Sequence, residues 1–275
     1  MKIISLGSGF VSDHLNYEKI TTRIQPDPVF ISYLIDKHKP DVIVNCIGKT
    51  GRPNVDWCES NKEETANANV VIPTILAQEC KRKNIHLVHI GSGCIFFGKS
   101  PNLTHEDSDS GWKEDDFANP QSFYSKTKYA CDLAIGDMDH VTTLRIRMPI
   151  STKNNPRNLI NKLKGYSKVI DIPNSMTFMD DLVRCIDWII YNSYTGIYHV
   201  TNDEPITAAQ IMKEYQKYVP DHKFEVIDEV GLSKLTSAKR SNCILNTDKL
   251  KNKGFHLTPS SEVVEKCMKE YIKNI

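Results

Sequence analysis

Short runs rich in Ile, Val and Leu recur at residues 2–6, 41–47, 85–90 and 141–146, each too short for a helix and nearly continuous in apolar character. Runs of this length suit strands covered on both faces. Longer segments with helical period separate them, the clearest at 63–82 and at 124–135, the second starting after Asn119-Pro120. Alternation of strand and helix predicts the α/β class, with a Rossmann-type doubly wound parallel sheet. A further strand is expected at 20–24, close to Arg23. Beyond Pro149 the elements become shorter: strands at 169–172 and 197–200, helices at 180–191 and 208–218, and a terminal helix from Ser260. The expected division is a sheet domain from 1–150 with 178–204, and a smaller C-terminal lobe from 151–177 with 205–275. The long acidic loop at 98–119 suits a functional segment better than a plain connector.

With 275 residues, 40% of them hydrophobic, the chain can bury a large core. Its 35 Lys and Arg nearly cancel 34 Asp and Glu. No global field therefore favours nucleic acid or an anionic membrane surface, and an anionic ligand must be gripped locally. No run approaches the ~20 apolar residues of a membrane span. The start reads as a strand entering a glycine turn rather than a secretory leader. Eight cysteines are scattered without a Cys-x-x-Cys or a histidine cluster, so reduced thiols, a cytoplasmic location and no metal site are expected.

Two motifs carry chemistry. Tyr124-Ser-Lys-Thr-Lys128 puts a phenol and an ammonium on one helix face, where the lysine is expected to lower the pKa of the tyrosine for work at a carbonyl. A solvated amphipathic helix shows the same spacing. Gly7-Ser-Gly9-Phe10-Val11-Ser12 follows the first strand, as a pyrophosphate cradle does, with Ser12 where the third glycine of that fingerprint stands. Gly7, Gly9, Phe10 and Val11 are the cofactor candidates, and a tight strand-to-helix turn is the plainer reading. Arg23, where NAD enzymes often carry an acid, suits the 2′-phosphate of NADPH, with NADH as the alternative.

With Ser92 near the end of the fourth main strand, the chain resembles the extended short-chain dehydrogenase/reductases that modify nucleotide sugars. Longer segments narrow the match: 50–60, 93–96, 123–128, 143–151, 155–158, 169–177 and 240–242 are similar to the plant UDP-4-keto-6-deoxyglucose 3,5-epimerase/4-reductases of UDP-rhamnose synthesis. The resemblance implies a Ser92/Tyr124/Lys128 reductase set, with Lys128 also holding the nicotinamide ribose and Met148 and Pro149 packing on the nicotinamide. It implies Cys94 and Lys162 as an acid/base pair for epimerisation, each expected to favour the charged form of the other across the sugar. Arg240, Arg52, Asn54 and Asn158 are the substrate-binding candidates, with Arg240 expected on the phosphates.

The implied activity is conversion of UDP-4-keto-6-deoxy-D-glucose to UDP-L-rhamnose with NADPH, the substrate coming from a separate 4,6-dehydratase. The sheet domain is then the NADP-binding part and the smaller lobe the nucleotide-sugar-binding part. A homodimer through the helices at 63–82 and 124–135 is also implied. A 4-ketoreductase acting on a UDP- or dTDP-linked sugar, and a non-catalytic NADP-binding regulatory subunit, are the alternatives. Cys94 and Lys162 distinguish the first of these, and an intact Ser92/Tyr124/Lys128 set the second.

Overall fold

The computed structural model describes residues 1–100 and 111–273. In chain order its first half contains β1 (Ile3–Leu6), β2 (Glu18–Ile20), α1 (Pro28–His38), β3 (Val42–Asn45), α2 (Asp56–Ser60), α3 (Lys62–Ala66), α4 (Ile72–Arg82), β4 (His86–Ser92), α5 (Phe123–Ile135) and β5 (Val141–Ile146). The second half contains β6 (Pro149–Ile150), α6 (Leu159–Lys164), β7 (Lys168–Ile170), β8 (Thr177–Phe178), α7 (Met179–Tyr191), β9 (Gly196–His199), α8 (Ala208–Gln216), β10 (Glu225–Ile227), α9 (Glu229–Ser233), α10 (Asp248–Lys251) and α11 (Ser260–Ile272).

The apolar runs become the inner strands of a six-stranded, wholly parallel sheet in the order β2-β1-β3-β4-β5-β9. Alternate side chains feed opposite faces. Ile4, Leu6, Ile43 and Leu87 pack with Ile31, Leu34, Leu76 and Cys131 of α1, α4 and α5. Val42, Val44, Val88 and Leu144 pack on the other face with Met179, Leu182 and Ile186 of α7. The order reverses between β1 and β3, which opens a crevice beyond the strands' carboxyl ends, where sheets of this kind take ligands. A third core joins Ile150 and α6 to α8 and α11. Leu250, Phe255 and Leu257, expected in the smaller lobe, pack instead on the α7 face of the sheet.

Several expectations are corrected. The second strand is Glu18–Ile20 rather than 20–24, so Arg23 lies exposed in the loop beyond it. Helix α1 was not anticipated, although Asp27 caps it by accepting from Val29 N at 2.9 Å, Pro28 opens it, and Ile31, Leu34 and Ile35 form its buried stripe. The helix expected at 63–82 is interrupted at Asn67–Val71 by a wider π-type turn, just before Pro73, which has no N–H to donate. Within the 98–119 loop, residues 101–110 lie outside the described residues. Farther on, Trp112 stacks on Phe96 with centroids 4.7 Å apart.

Candidate active site

Helix α5 starts sharply. Ser122 Oγ accepts from Ser125 N at 3.1 Å, and Glu59 accepts from Phe123 N at 2.8 Å. Tyr124 thus enters the first turn, 9% exposed, with Lys128 one turn on and 3% exposed. Their surroundings differ. Burial and the neighbouring Cys94 push the Tyr124 phenol well above its usual value, against a lowering hydrogen bond with Ser92. Lys128 Nζ donates to Ile90 O at 2.9 Å and lies 3.3 Å from His89 Nε2. Burial and that ammonium hold His89 neutral, and Asn45 Nδ2 anchors its other ring nitrogen at 3.0 Å. The expectation that Lys128 lowers Tyr124 is therefore corrected: the lysine is turned to β4, and the phenol is raised.

Ser92 ends β4 and caps the following turn, accepting from Cys94 N at 3.1 Å. Cys94 is half-buried beside it, its carbonyl accepting from Ser125 Oγ at 2.7 Å. Arg147 leaves the end of β5 fully buried and reaches Cys94 Sγ at 3.7 Å, Ser241 Oγ at 2.7 Å and Asn174 Oδ1 at 2.6 Å. Gly93 makes room for it, since a Cβ there would lie 2.9 Å from Arg147 Cγ. Lys162 on α6 approaches from the other lobe. Burial, then Arg157, lower its pKa from the usual 10.5, and Cys94 opposes them. Cys94 therefore acts on both Tyr124 and Lys162. The expected mutual reinforcement is corrected on the lysine side, where burial and Arg157 outweigh the thiol.

In the glycine turn, Gly7 has φ +110, and a Cβ would lie 3.3 Å from the Cys46 carbonyl carbon, so a side chain is excluded. Ser12 closes the turn, its Oγ accepting from Gly9 N and donating to Gly9 O, both at 2.9 Å. Gly9 is exposed, with open space on its Cβ side, so bare backbone faces the crevice, as close approach of a pyrophosphate requires. Phe10 is buried under the turn and Val11 half-buried. Across the crevice, Met148 holds φ +39, unusual for a side chain of its size, just before Pro149. His14 ties the two sides, with Nδ1 donating to Phe10 O at 2.7 Å and Nε2 2.9 Å from Ser151 Oγ. The residues present fit a dinucleotide.

The substrate candidates separate. Asn158 is fully buried. Its Nδ2 donates to Ser151 O and Lys153 O, both at 2.7 Å, and its Oδ1 caps α6 by accepting from Ile160 N at 3.4 Å. It is a loop staple, with no donor left for a ligand. Arg240 forms a fork on Asp56, Nη1 to Oδ1 at 2.9 Å and Nη2 to Oδ2 at 2.8 Å, and so is engaged rather than open to phosphate. Asn54 accepts from Asp56 N at 2.9 Å, shaping the loop, and Arg52 is exposed at its tip. Two residues were missed. Arg157 donates to Thr50 Oγ1 at 2.7 Å beside Lys162. Asn69, in the π-type turn, donates to Lys49 O and Thr127 Oγ1 and accepts from Lys49 N, fastening α5 to the loop after β3. A π-type turn leaves no local sequence signal. For Arg157, the motif at 155–158 was in view.

Among the described residues no helix is long and apolar enough to cross a membrane, and no group of three His, Cys, Asp or Glu is placed to hold a metal. A family model of the RmlD substrate binding domain matches residues 22–273. A bifunctional dTDP-4-dehydrorhamnose 3,5-epimerase/dTDP-4-dehydrorhamnose reductase of Arabidopsis thaliana is 41% identical over 220 residues, covering 79% of this chain and 72% of the relative. A trifunctional UDP-glucose 4,6-dehydratase/UDP-4-keto-6-deoxy-D-glucose 3,5-epimerase/UDP-4-keto-L-rhamnose-reductase of the same plant is 40% identical over 79% of this chain, which spans 33% of that longer protein. The crystal structure of the L780 UDP-rhamnose synthase from Acanthamoeba polyphaga mimivirus superimposes with a TM-score of 0.89, covering 98% of this chain and 99% of that one at 28% identity.

Proposed function

The chain belongs to the RmlD substrate-binding family, and on that premise we propose that it converts UDP-4-keto-6-deoxy-D-glucose to UDP-L-rhamnose, inverting carbons 3 and 5 before reducing the ketone at carbon 4. It is an NADPH-dependent oxidoreductase, and the epimerase activity is the added step of this reading. The observation that carries it is the meeting of Ser92, Cys94 and Tyr124 with Lys162 of the opposite lobe. Reduction alone has no use for the thiol and the amine.

The ketone acidifies the hydrogens on its two neighbouring carbons. Lys162, lowered by burial and Arg157, reaches the neutral amine more readily than an exposed lysine and suits proton removal on one face. Cys94 serves the other face, with Arg147 near enough to meet negative charge on its sulfur. Ser92 and the Tyr124 hydroxyl donate to the enolate oxygen between transfers. Because burial keeps Tyr124 protonated, it is ready to give its proton to the alkoxide that reduction leaves on carbon 4. NADPH, when bound on the Gly7–Val11 turn against Met148 and Pro149, supplies the hydride. Lys128, fixed by Ile90 O, is positioned to grip its ribose.

A separate 4,6-dehydratase supplies the substrate, and a homodimer forms through α4 and α5. Exposed Leu133 on α5 and Val71 just before α4 support that pairing. The test supplies the 4-keto substrate in deuterated water. Wild type should incorporate deuterium at carbons 3 and 5, whereas Cys94→Ala should lose most of that incorporation yet still oxidise NADPH with the already epimerised ketone. Equal incorporation by the variant would remove Cys94 from the mechanism.

A further inference from the structure

We propose that Arg157, together with Arg52, forms the clamp for the diphosphate of a nucleotide-sugar substrate. This rests on the nucleotide-sugar reading above and assigns the part of the site that Arg240 leaves open. Both terminal nitrogens of Arg240 are spent on the Asp56 carboxylate, and Nη1 also donates to Ala238 O at 3.1 Å. Opening that fork would expose a partly buried carboxylate. Arg157 is in the opposite condition. It is half-buried, and the neighbours that act on it are Arg52, Cys58 and Tyr124, none of them a carboxylate. Burial and Arg52 lower its pKa from the ordinary guanidinium value, the response of a cation that lacks an anion.

The position matches the ligand. Cys94 acts on Lys162, Lys162 feels Arg157, and Arg157 feels the exposed Arg52, so positive charge extends from the reacting pair toward solvent. In a nucleotide sugar the diphosphate is attached directly to the ring and leads away from it in the same sense. Arg157 is also aimed. Its backbone N–H donates to Asn155 Oδ1 at 2.8 Å, and Nη1 donates to Thr50 Oγ1 at 2.7 Å, which ties the α6 loop to the loop bearing Arg52. That second loop is stiffened at Gly51, where φ is +69 and a Cβ would lie 2.6 Å from both Asn54 O and Trp57 Cβ. Arg157, held by Thr50, and the exposed Arg52 on the same loop as Thr50 supply two planar forks that suit the oxygens of a diphosphate, whose negative charge also relieves the repulsion between them.

The test titrates the full chain with UDP and with uridine, using NADPH binding as the control for folding. Wild type should prefer UDP. Arg157→Ala should weaken UDP by about tenfold or more, as loss of a charged hydrogen bond implies, with uridine and NADPH binding unchanged, and Arg157→Lys should recover part of the loss. An Arg157→Ala variant that kept the wild-type UDP-to-uridine ratio while Arg240→Ala abolished it would overturn the assignment and leave the nucleotide-sugar reading standing. A wild type without preference for UDP over uridine would overturn both.

Discussion

Arg147, 1% exposed, places its Nη1 3.7 Å from Cys94 Sγ, its other side-chain partners being the neutral groups of Gly93, Asn174 and Ser241 and the buried thiol of Cys243, whose pKa burial raises. A buried cation with neutral partners is costly unless negative charge arrives beside it. Under the proposed mechanism that charge forms on Cys94 when it gives up its proton. Arg147→Met should therefore slow deuterium incorporation at carbons 3 and 5 by about tenfold or more, with a smaller effect on hydride transfer to the epimerised ketone. Equal loss of both steps would mean that Arg147 only holds the fold.

Lys162 offers a pH test. Burial and Arg157 lower its pKa below the usual 10.5, so the pH–rate limb of epimerisation that belongs to Lys162 should lie below the ordinary lysine range. Arg157→Met removes one of the two lowering causes. The pKa then rises, and the limb should move to higher pH whether the group acts as base or acid. A limb that stayed in place would dissociate Arg157 from Lys162.

The clasp between Asp56 and Arg240 is structural. Burial raises the Asp56 carboxyl, but hydrogen bonds from Arg240 and Ala238 N outweigh it and hold the pKa below the usual 3.8. A carboxylate lowered on folding adds stability that is complete above its unfolded pKa and is lost as pH falls through the lower folded one. The pair should therefore survive to pH below the ordinary carboxylate range. Asp56→Asn should cost about 1–2 kcal/mol at neutral pH in chemical denaturation and flatten stability in that acid window.

Asn158 should behave as a cap. Its replacement by Ala leaves the α6 N-terminus and the Ser151 and Lys153 carbonyls without partners, a loss of about 1–3 kcal/mol in unfolding free energy. An unchanged denaturation midpoint would return Asn158 to the list of substrate donors.

The inner strands were legible because buried parallel strands must be almost wholly apolar, as Ile43, Val44, Leu87 and Val88 are. Edge strand β2 was misplaced because only Ile20 of Glu18-Lys19-Ile20 is buried, so its pairing leaves little pattern. Asp27-Pro28 did announce α1. In the site, the Tyr124–Lys128 spacing located the helix, and the glycine turn marked the end of β1 beside the crevice. What could not be read was where each charge is spent: Arg240 meets Asp56 across 184 positions, and Arg157 meets Thr50 across 107. A sequence shows how many forks a chain has, whereas tertiary pairing decides which remain open. Asn158 is different, since an Asn just before a helix is a local cap signal.

The central claim is that one pocket performs epimerisation and reduction. The direct measurement supplies UDP-4-keto-6-deoxyglucose and NADPH to the purified chain and determines the configuration of the product at carbons 3, 4 and 5. The account predicts UDP-L-rhamnose with one NADPH consumed per sugar. A 6-deoxysugar reduced at carbon 4 but unchanged at carbons 3 and 5, or no consumption of NADPH, would contradict it.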